Sequence, residues 1–139
     1  NASMPDYVFS RLIQALNERN KPIKGSKVLV LGLSYKANVD DDRESPSYAL
    51  MDRLEEYEAE VSYYDPHIPE IKNSHENAHW AQKKSIQWSK NIIKSFDAII
   101  ISTAHDDINY KELTEWAALI VDTRNAIKSY NVMHKLIKA

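Results

Sequence analysis

The residues best suited to chemistry lie in one segment, Gly32-Leu33-Ser34-Tyr35-Lys36-Ala37-Asn38-Val39-Asp40-Asp41-Asp42-Arg43-Glu44-Ser45-Pro46-Ser47. Lys36 offers a compact positive charge to a phosphate or a sugar oxygen, whereas Arg43 offers a planar fork suited to bidentate pairing. Ser45-Pro46 marks a helix start, whose unpaired amides add positive potential for an anion. The same residues also suit a solvated turn in which Arg43 pairs with one of the three aspartates, because charge runs are common at surfaces. A second candidate is Asp122-Thr123-Arg124-Asn125. Arg124 there either faces the same crevice as Lys36 or closes a local turn with Asp122. A third pattern, His75-Glu76-Asn77-Ala78-His79, has the spacing of two imidazoles that hold zinc one helical turn apart while a glutamate activates water. That chemistry needs a helix. The pattern sits in a polar connection with no apolar stripe to bury one, and only His67 is near as a third ligand, so solvated histidines are the expectation and no metal site is assigned.

Composition removes other chemistries. The chain has 139 residues, 43% of them hydrophobic, enough to close one core. Eighteen basic residues against 20 acidic ones give a formal charge of -2, leaving no net positive field to hold nucleic acid. No run of about 18 apolar residues and no leader pattern is present, so the chain reads as soluble and cytoplasmic, with no membrane partner. Cysteine is absent, which removes disulfides, thiolate metal sites and thiol nucleophiles. The two glycines, Gly25 and Gly32, are too few for a glycine-rich dinucleotide or triphosphate loop.

The candidate groups must be held by a scaffold, and the apolar spacing describes one. Ser3 and Pro5 fit the start of a first helix, with Val8, Leu12, Ile13 and Leu16 as its stripe and an end near Asn20. From Lys27 the run Val28-Leu29-Val30-Leu31-Gly32-Leu33 suits a strand buried on both faces, and hence a parallel sheet. Leu50, Met51, Leu54 and Tyr57 form the stripe of a helix opened by Ser45-Pro46. Further strands fit Val61 to Tyr64, Phe96 to Ser102 and Leu119 to Val121, and helical segments fit Asn91 to Lys94 and Tyr110 to Trp116. A last helix fits Asn131 to Lys138. Strands alternating with helices predict a doubly wound sheet whose ligands sit beyond the carboxyl ends of the strands. Ser34 to Glu44, Ser102 to Asp107 and Asp122 to Asn125 all end there, and the strands that lead to Lys36 and Arg124 are expected to be neighbours.

Two resemblances follow from these residues. The acidic run Asp40 to Asp42 with Ser102-Thr103 is similar to a phosphoacceptor receiver domain, but Asp122-Thr123-Arg124 supplies no lysine where that fold needs one. Gly32-x-x-Tyr35-Lys36, six intervening residues and Arg43-Glu44-Ser45-Pro46 form a far more specific signature. Together with Met4-Pro5, Lys24-Gly25, Asp65-Pro66, Asp97 to Thr103 and Asp122 to Asn125, it makes nearly the whole chain resemble the C-terminal, UDP-binding domain of the UDP-glucose/GDP-mannose dehydrogenase family.

That resemblance implies an α/β fold: a doubly wound, mainly parallel five-stranded sheet, Rossmann-like, with helices on both faces. Residues 1–22 would be a helix continuing from a missing central region, and residues 23–139 the UDP-sugar-binding domain. It also implies NAD-dependent oxidation of a sugar C6 alcohol to a carboxylate, through thiohemiacetal and thioester intermediates on a cysteine that lies outside this chain. NAD would be held mainly by a missing N-terminal domain, and the central region would make the whole enzyme a homo-oligomer. By resemblance Tyr35 and Lys36 contact substrate, Arg124 reaches the sugar or its nascent carboxylate, and Arg43 approaches NAD. The run Tyr35 to Ser47 with Asp65-Pro66-His67 looks most like the bacterial branch acting on UDP-N-acetylhexosamines in polysaccharide biosynthesis. The alternatives are a UDP-glucose 6-dehydrogenase fragment and a free-standing regulatory or interaction domain on a flavodoxin-like fold.

The zinc-like pattern generates the first prediction. Elemental analysis of the dialysed chain should show no stoichiometric zinc. Replacing His75 and His79 together with Ala should change stability by no more than about 0.5 kcal/mol. Bound metal, or a Tm loss of several degrees, would reverse that assignment.

Overall fold

The computed structural model describes residues 4–75, 77–128 and 134–139. Ser3, expected as a helix cap, lies outside them. Five strands form one sheet: β1 (Lys27–Leu31), β2 (Glu60–Tyr64), β3 (Ala98–Ile101), β4 (Ile120–Asp122) and β5 (Leu136–Lys138). Their order is β2-β1-β3-β4-β5, and every pairing is parallel. The order reverses between β1 and β3, so the crevice that doubly wound sheets offer to ligands opens at the carboxyl ends of those two strands.

Four α-helices cover the sheet: α1 (Met4–Glu18), α2 (Pro46–Glu56), α3 (Lys90–Lys94) and α4 (Tyr110–Trp116). The unbroken apolar run in β1 is explained by two cores. Val28 and Val30 point to one side, where Leu12 and Leu16 of α1 and Met51 and Leu54 of α2 pack. Leu29 and Leu31 point to the other, against Ile93 of α3 and Leu113 of α4. A strand covered on both faces needs no polar alternation. The helix starts follow local chemistry. Ser45 Oγ accepts the Ser47 N–H at 3.2 Å ahead of Pro46, and Asn109 Oδ1 accepts the Glu112 N–H at 3.1 Å at the start of α4.

Two expectations are corrected. Residues 136–138 are not helical but form the edge strand β5, while Asn131 to Met133 lie outside the described residues. Leu136 and Ile137 are too short a pair for periodicity to separate strand from helix. The lysines decide the outcome: Lys135 Nζ donates to Thr114 O and Ala117 O, both at 2.8 Å, and Lys138 Nζ donates to Ile127 O at 2.6 Å, pinning the segment beside β4. The strands leading to Lys36 and Arg124 are also not neighbours, because β3 lies between β1 and β4. The Ile99-Ile100-Ile101 run, buried on both faces, takes the central place.

Gly32 ends β1 with φ +88°, and its N–H donates to Tyr64 O at 2.9 Å. A Cβ at this position would stand 2.5 Å from both the Cβ and the carbonyl oxygen of Thr103, so the β1 and β3 ends approach as closely as they do only because the side chain is missing. Gly25 has a similar φ of +83° but open space around it. Gly32→Ala should therefore lose about 2–4 kcal/mol from strain and overpacking together, and Gly25→Ala about 1–2 kcal/mol from backbone strain alone. Urea titrations of the two variants check the difference.

Candidate functional site at the carboxyl edge

The loop after β1 is fixed at its base and exposed at its tip. Leu33 N–H donates to Asp65 Oδ2 at 2.7 Å, and Thr103 Oγ1 donates to Ser34 O at 2.8 Å. Tyr35 N–H donates to Asp41 O at 2.7 Å, closing the loop, while Tyr35 as a residue is 57% exposed. Arg43 forks onto Asp41, with Nε to Oδ1 at 2.9 Å and Nη2 to Oδ2 at 2.8 Å. Those hydrogen bonds, led by the side-chain pair, lower the Asp41 carboxyl to about 2. The pairing of Arg43 with an aspartate is thus realised, on a side chain that remains 82% exposed.

Arg124 combines the two arrangements open to it. Its N–H closes a local turn by donating to Asp122 Oδ1 at 3.0 Å, and its guanidinium crosses the end of β3, with Nε donating to Ser102 O at 2.8 Å. This reach compensates for β4 not lying beside β1. Arg124 and Tyr35 consequently line one cleft of 690 Å³, with Met4 and Pro5 of α1 and Ser45, Pro46 and Ala49 at the start of α2. Tyr35 also lines an adjoining hollow of 470 Å³ with Asp41, Arg43 and Glu44. Lys36 lines neither; it is exposed on the same loop, where its charge helps to hold Asp41 ionised. The structure thus gathers Tyr35 and Arg124, sets Arg43 next to them, and leaves Lys36 outside the cleft wall.

Beneath the loop lies a polar cluster that spacing did not reveal. Asp65, His105 and Ser34 are buried together, with His105 Nε2 at 2.9 Å from Asp65 Oδ2 and at 3.2 Å from Ser34 Oγ. Residue types alone suggest a nucleophilic triad, but the geometry excludes it. A relay places the acid and the hydroxyl on opposite ring nitrogens, whereas here both face Nε2, and Nδ1 accepts the Asn38 N–H at 2.8 Å. Burial raises the Asp65 carboxyl, yet hydrogen bonds from His105, Leu33 N–H and His67 N–H outweigh it and hold the group below its ordinary value. Asp122 behaves alike: burial is outweighed by Lys138 Nζ and the N–H groups of Ile127, Ala126 and Arg124. Asp65-Pro66 was legible as a strand end, but nothing in the sequence links it to His105, 40 residues away.

The zinc-like pattern has a different local structure. Ala78–Trp80 is a single 3₁₀ turn, and the exposed His79 places Nε2 2.5 Å from Glu55 Oε1. Among the described residues no group of three His, Asp or Glu side chains is placed to hold a metal ion.

An all-parallel sheet that winds outward from a switch point, with a cleft at its carboxyl edge, defines a Rossmann-like ligand-binding domain. Residues 29–129 match the UDP binding domain of the UDP-glucose/GDP-mannose dehydrogenase family, and the chain belongs to that family. It is 36% identical to a UDP-N-acetyl-D-mannosamine dehydrogenase of Methanococcus vannielii, over 97% of this chain and 30% of that protein. It is also 36% identical to a UDP-glucose 6-dehydrogenase of Bacillus subtilis, over 81% of this chain and 26% of that protein. Among solved structures, the UDP-D-ManNAc dehydrogenase of Pyrococcus horikoshii superposes with a TM-score of 0.76 at 26% identity, covering 99% of this chain and 31% of that one. The chain thus spans about 30% of the length of such relatives.

The β1 turn does not fit a resident dinucleotide. The Gly32 and Leu33 amides are taken by Tyr64 O and Asp65, and Thr103 fills the space over Gly32. Arg43, the residue expected to approach such a cofactor, is paired with Asp41 on the exposed loop.

The lowered carboxyls fix the sign of the acid response. A carboxylate whose value is depressed by folding contributes stability that is complete above its unfolded value, about 3.9, and is lost as pH falls through the folded value. Urea midpoints should therefore be flat above about pH 5 and fall steeply below about pH 4. Asp122→Asn should be less stable at neutral pH and show a shallower acid limb.

Proposed function

We propose that the chain is the UDP-sugar-binding domain of an NAD-dependent nucleotide-sugar 6-dehydrogenase, acting in the cytoplasm on a precursor for polysaccharide synthesis. The observation that carries this reading is the cleft shared by Tyr35 and Arg124 at the carboxyl edge, both residues lying inside the stretch that matches the family's UDP binding domain. Residues 1–22 would lead in from a preceding region through which the whole enzyme assembles as a homo-oligomer, and residues 23–139 would form the binding unit.

In this reading Tyr35 packs against the substrate from the loop tip. Lys36, next to it, meets the diphosphate or sugar oxygens from the open side, where an exposed ammonium keeps its reach. Arg124 holds the sugar or its nascent carboxylate. One donor, Nε, is already used by Ser102 O, which fixes the plane of the fork and leaves the Nη groups to point at the ligand. Arg43 faces NAD bound by the rest of the enzyme, where that cofactor accepts hydride. The chain itself contributes orientation and charge complementarity, because the nucleophilic cysteine is not among its residues. The repeated appearance of UDP-N-acetyl-D-mannosamine dehydrogenases among the relatives favours a UDP-N-acetylhexosamine. The Bacillus subtilis relative supports UDP-glucose as a second reading.

UDP titrated into the chain should perturb the amide resonances of Tyr35, Lys36 and Arg124, and the chain mixed with NAD and any UDP-sugar should form no NADH. In the full-length enzyme Arg124→Lys should lower kcat/KM roughly ten- to a hundredfold, since a charge-assisted hydrogen bond is worth about 1.5–3 kcal/mol and a lysine cannot reproduce the fork. Lys36→Ala should act similarly, with losses that do not add in the double variant. Wild-type kinetics in Arg124→Lys would return that residue to a purely local turn.

A further inference from the structure

The function just proposed assigns no role to the buried cluster around His105. The His105 ring is fully buried, and its two nitrogens meet the two ends of the loop segment that carries Tyr35 and Lys36. At the first end, Nε2 faces Ser34 Oγ, and the Ser34 hydroxyl donates to Lys36 O at 2.6 Å. At the second, Asn38 N–H donates to Nδ1. Asn38 has φ +65° and exchanges two hydrogen bonds with Asp106, Nδ2 to Oδ2 at 3.0 Å and Asp106 N–H to Oδ1 at 2.8 Å. A residue other than glycine stays in that conformation when its surroundings hold it there. Residues 35–37 are exposed, and besides the Tyr35 N–H bond to Asp41 O the clamp at their two ends is what holds their shape.

The clamp works in one protonation arrangement. Because Asn38 N–H donates to Nδ1, the ring hydrogen sits on Nε2, where Asp65 Oδ2 and Ser34 Oγ accept it. With the other tautomer, two N–H groups would oppose each other at Asn38. Asp65 is itself anchored by the N–H groups of Leu33 and His67, so it selects the tautomer from a fixed position.

We propose that His105, oriented by Asp65, is a positioning residue that holds the Tyr35–Lys36 segment ready for a nucleoside diphosphate. This rests on the reading of Tyr35 and Lys36 as substrate contacts. Pre-ordering a loop removes an ordering cost from binding and leaves the chemical step alone, so its loss weakens affinity and raises KM at constant kcat.

Calorimetric titration of UDP into the full-length enzyme tests this, with Lys36→Ala, His105→Gln, Ser34→Ala and the double variant Lys36→Ala/His105→Gln. His105→Gln can keep an amide donor towards Asp65 but has no acceptor at the Nδ1 position that Asn38 N–H uses; Ser34→Ala is the milder change and decides the matter if His105→Gln does not fold. Expected are a five- to tenfold rise in the UDP dissociation constant for His105→Gln, a smaller rise for Ser34→Ala, unchanged kcat, and clear non-additivity with Lys36→Ala. If Lys36→Ala weakens UDP binding while folded His105→Gln and Ser34→Ala bind as wild type, or if the His105 and Lys36 losses simply add, His105 is a fold element only and the proposal is overturned. If Lys36→Ala itself leaves UDP binding unchanged, the reading of the substrate contacts fails, and the positioning role falls with it.

Discussion

A buried carboxylate organises the ligand edge of this domain. Asp65 ends β2, and taking its charge out of water would be costly without partners. Leu33 N–H, His67 N–H and the His105 imidazole supply them. Each of these bonds ties a different segment to the same few atoms: the β1 loop, the turn after β2 and the β3 loop. The three connections that bound the switch point are therefore one hydrogen-bonded unit rather than three independent loops. The exposed positions Tyr35 and Lys36 inherit their placement from it.

The position of β3 explains the other half of the site. An isoleucine run covered on both faces belongs at the centre of a parallel sheet, which separates β1 from β4 by one strand spacing. A short side chain at the end of β4 would not span that gap. Arg124 is long enough to lie across it, and Ser102 O provides a stop at which the guanidinium comes to rest. The missing side chain of Gly32 allows Thr103 to close in on the same edge, and α1 and the start of α2 wall the cleft that Tyr35 and Arg124 share.

Much of this was readable from sequence because it depends on local rules. Tyr110–Trp116 follows an asparagine cap, α2 opens on Ser45-Pro46, and β1 shows the uniform burial that only a parallel sheet explains. The family signature around Tyr35, Lys36 and Arg43 is contiguous, and so it too was visible. What escaped depends on distant pairing. β5 is a strand because lysines on either side of Leu136 and Ile137 find carbonyls and a carboxylate on other elements, and no window of residues contains that information. His105 has no spacing relation to Ser34, Asn38 or Asp65, and only the sheet order brings the four together. The histidine pattern at 75–79 reads from sequence as a motif lacking its helix, and Ala78–Trp80 forms a single 3₁₀ turn there.

The edge strand β5 carries a further implication for motion. Lys138 Nζ reaches Asp122 Oδ2 and Asn125 Oδ1, the carboxylate and the amide that flank Arg124. β5 is three residues long and, among the described residues, pairs with β4 alone, the kind of edge element expected to fray first. The turn beneath Arg124 is tied through Asp122 to that rim, whereas the guanidinium rests on Ser102 O at the end of β3, so the two ends of one side chain are anchored to an edge strand and to a central one.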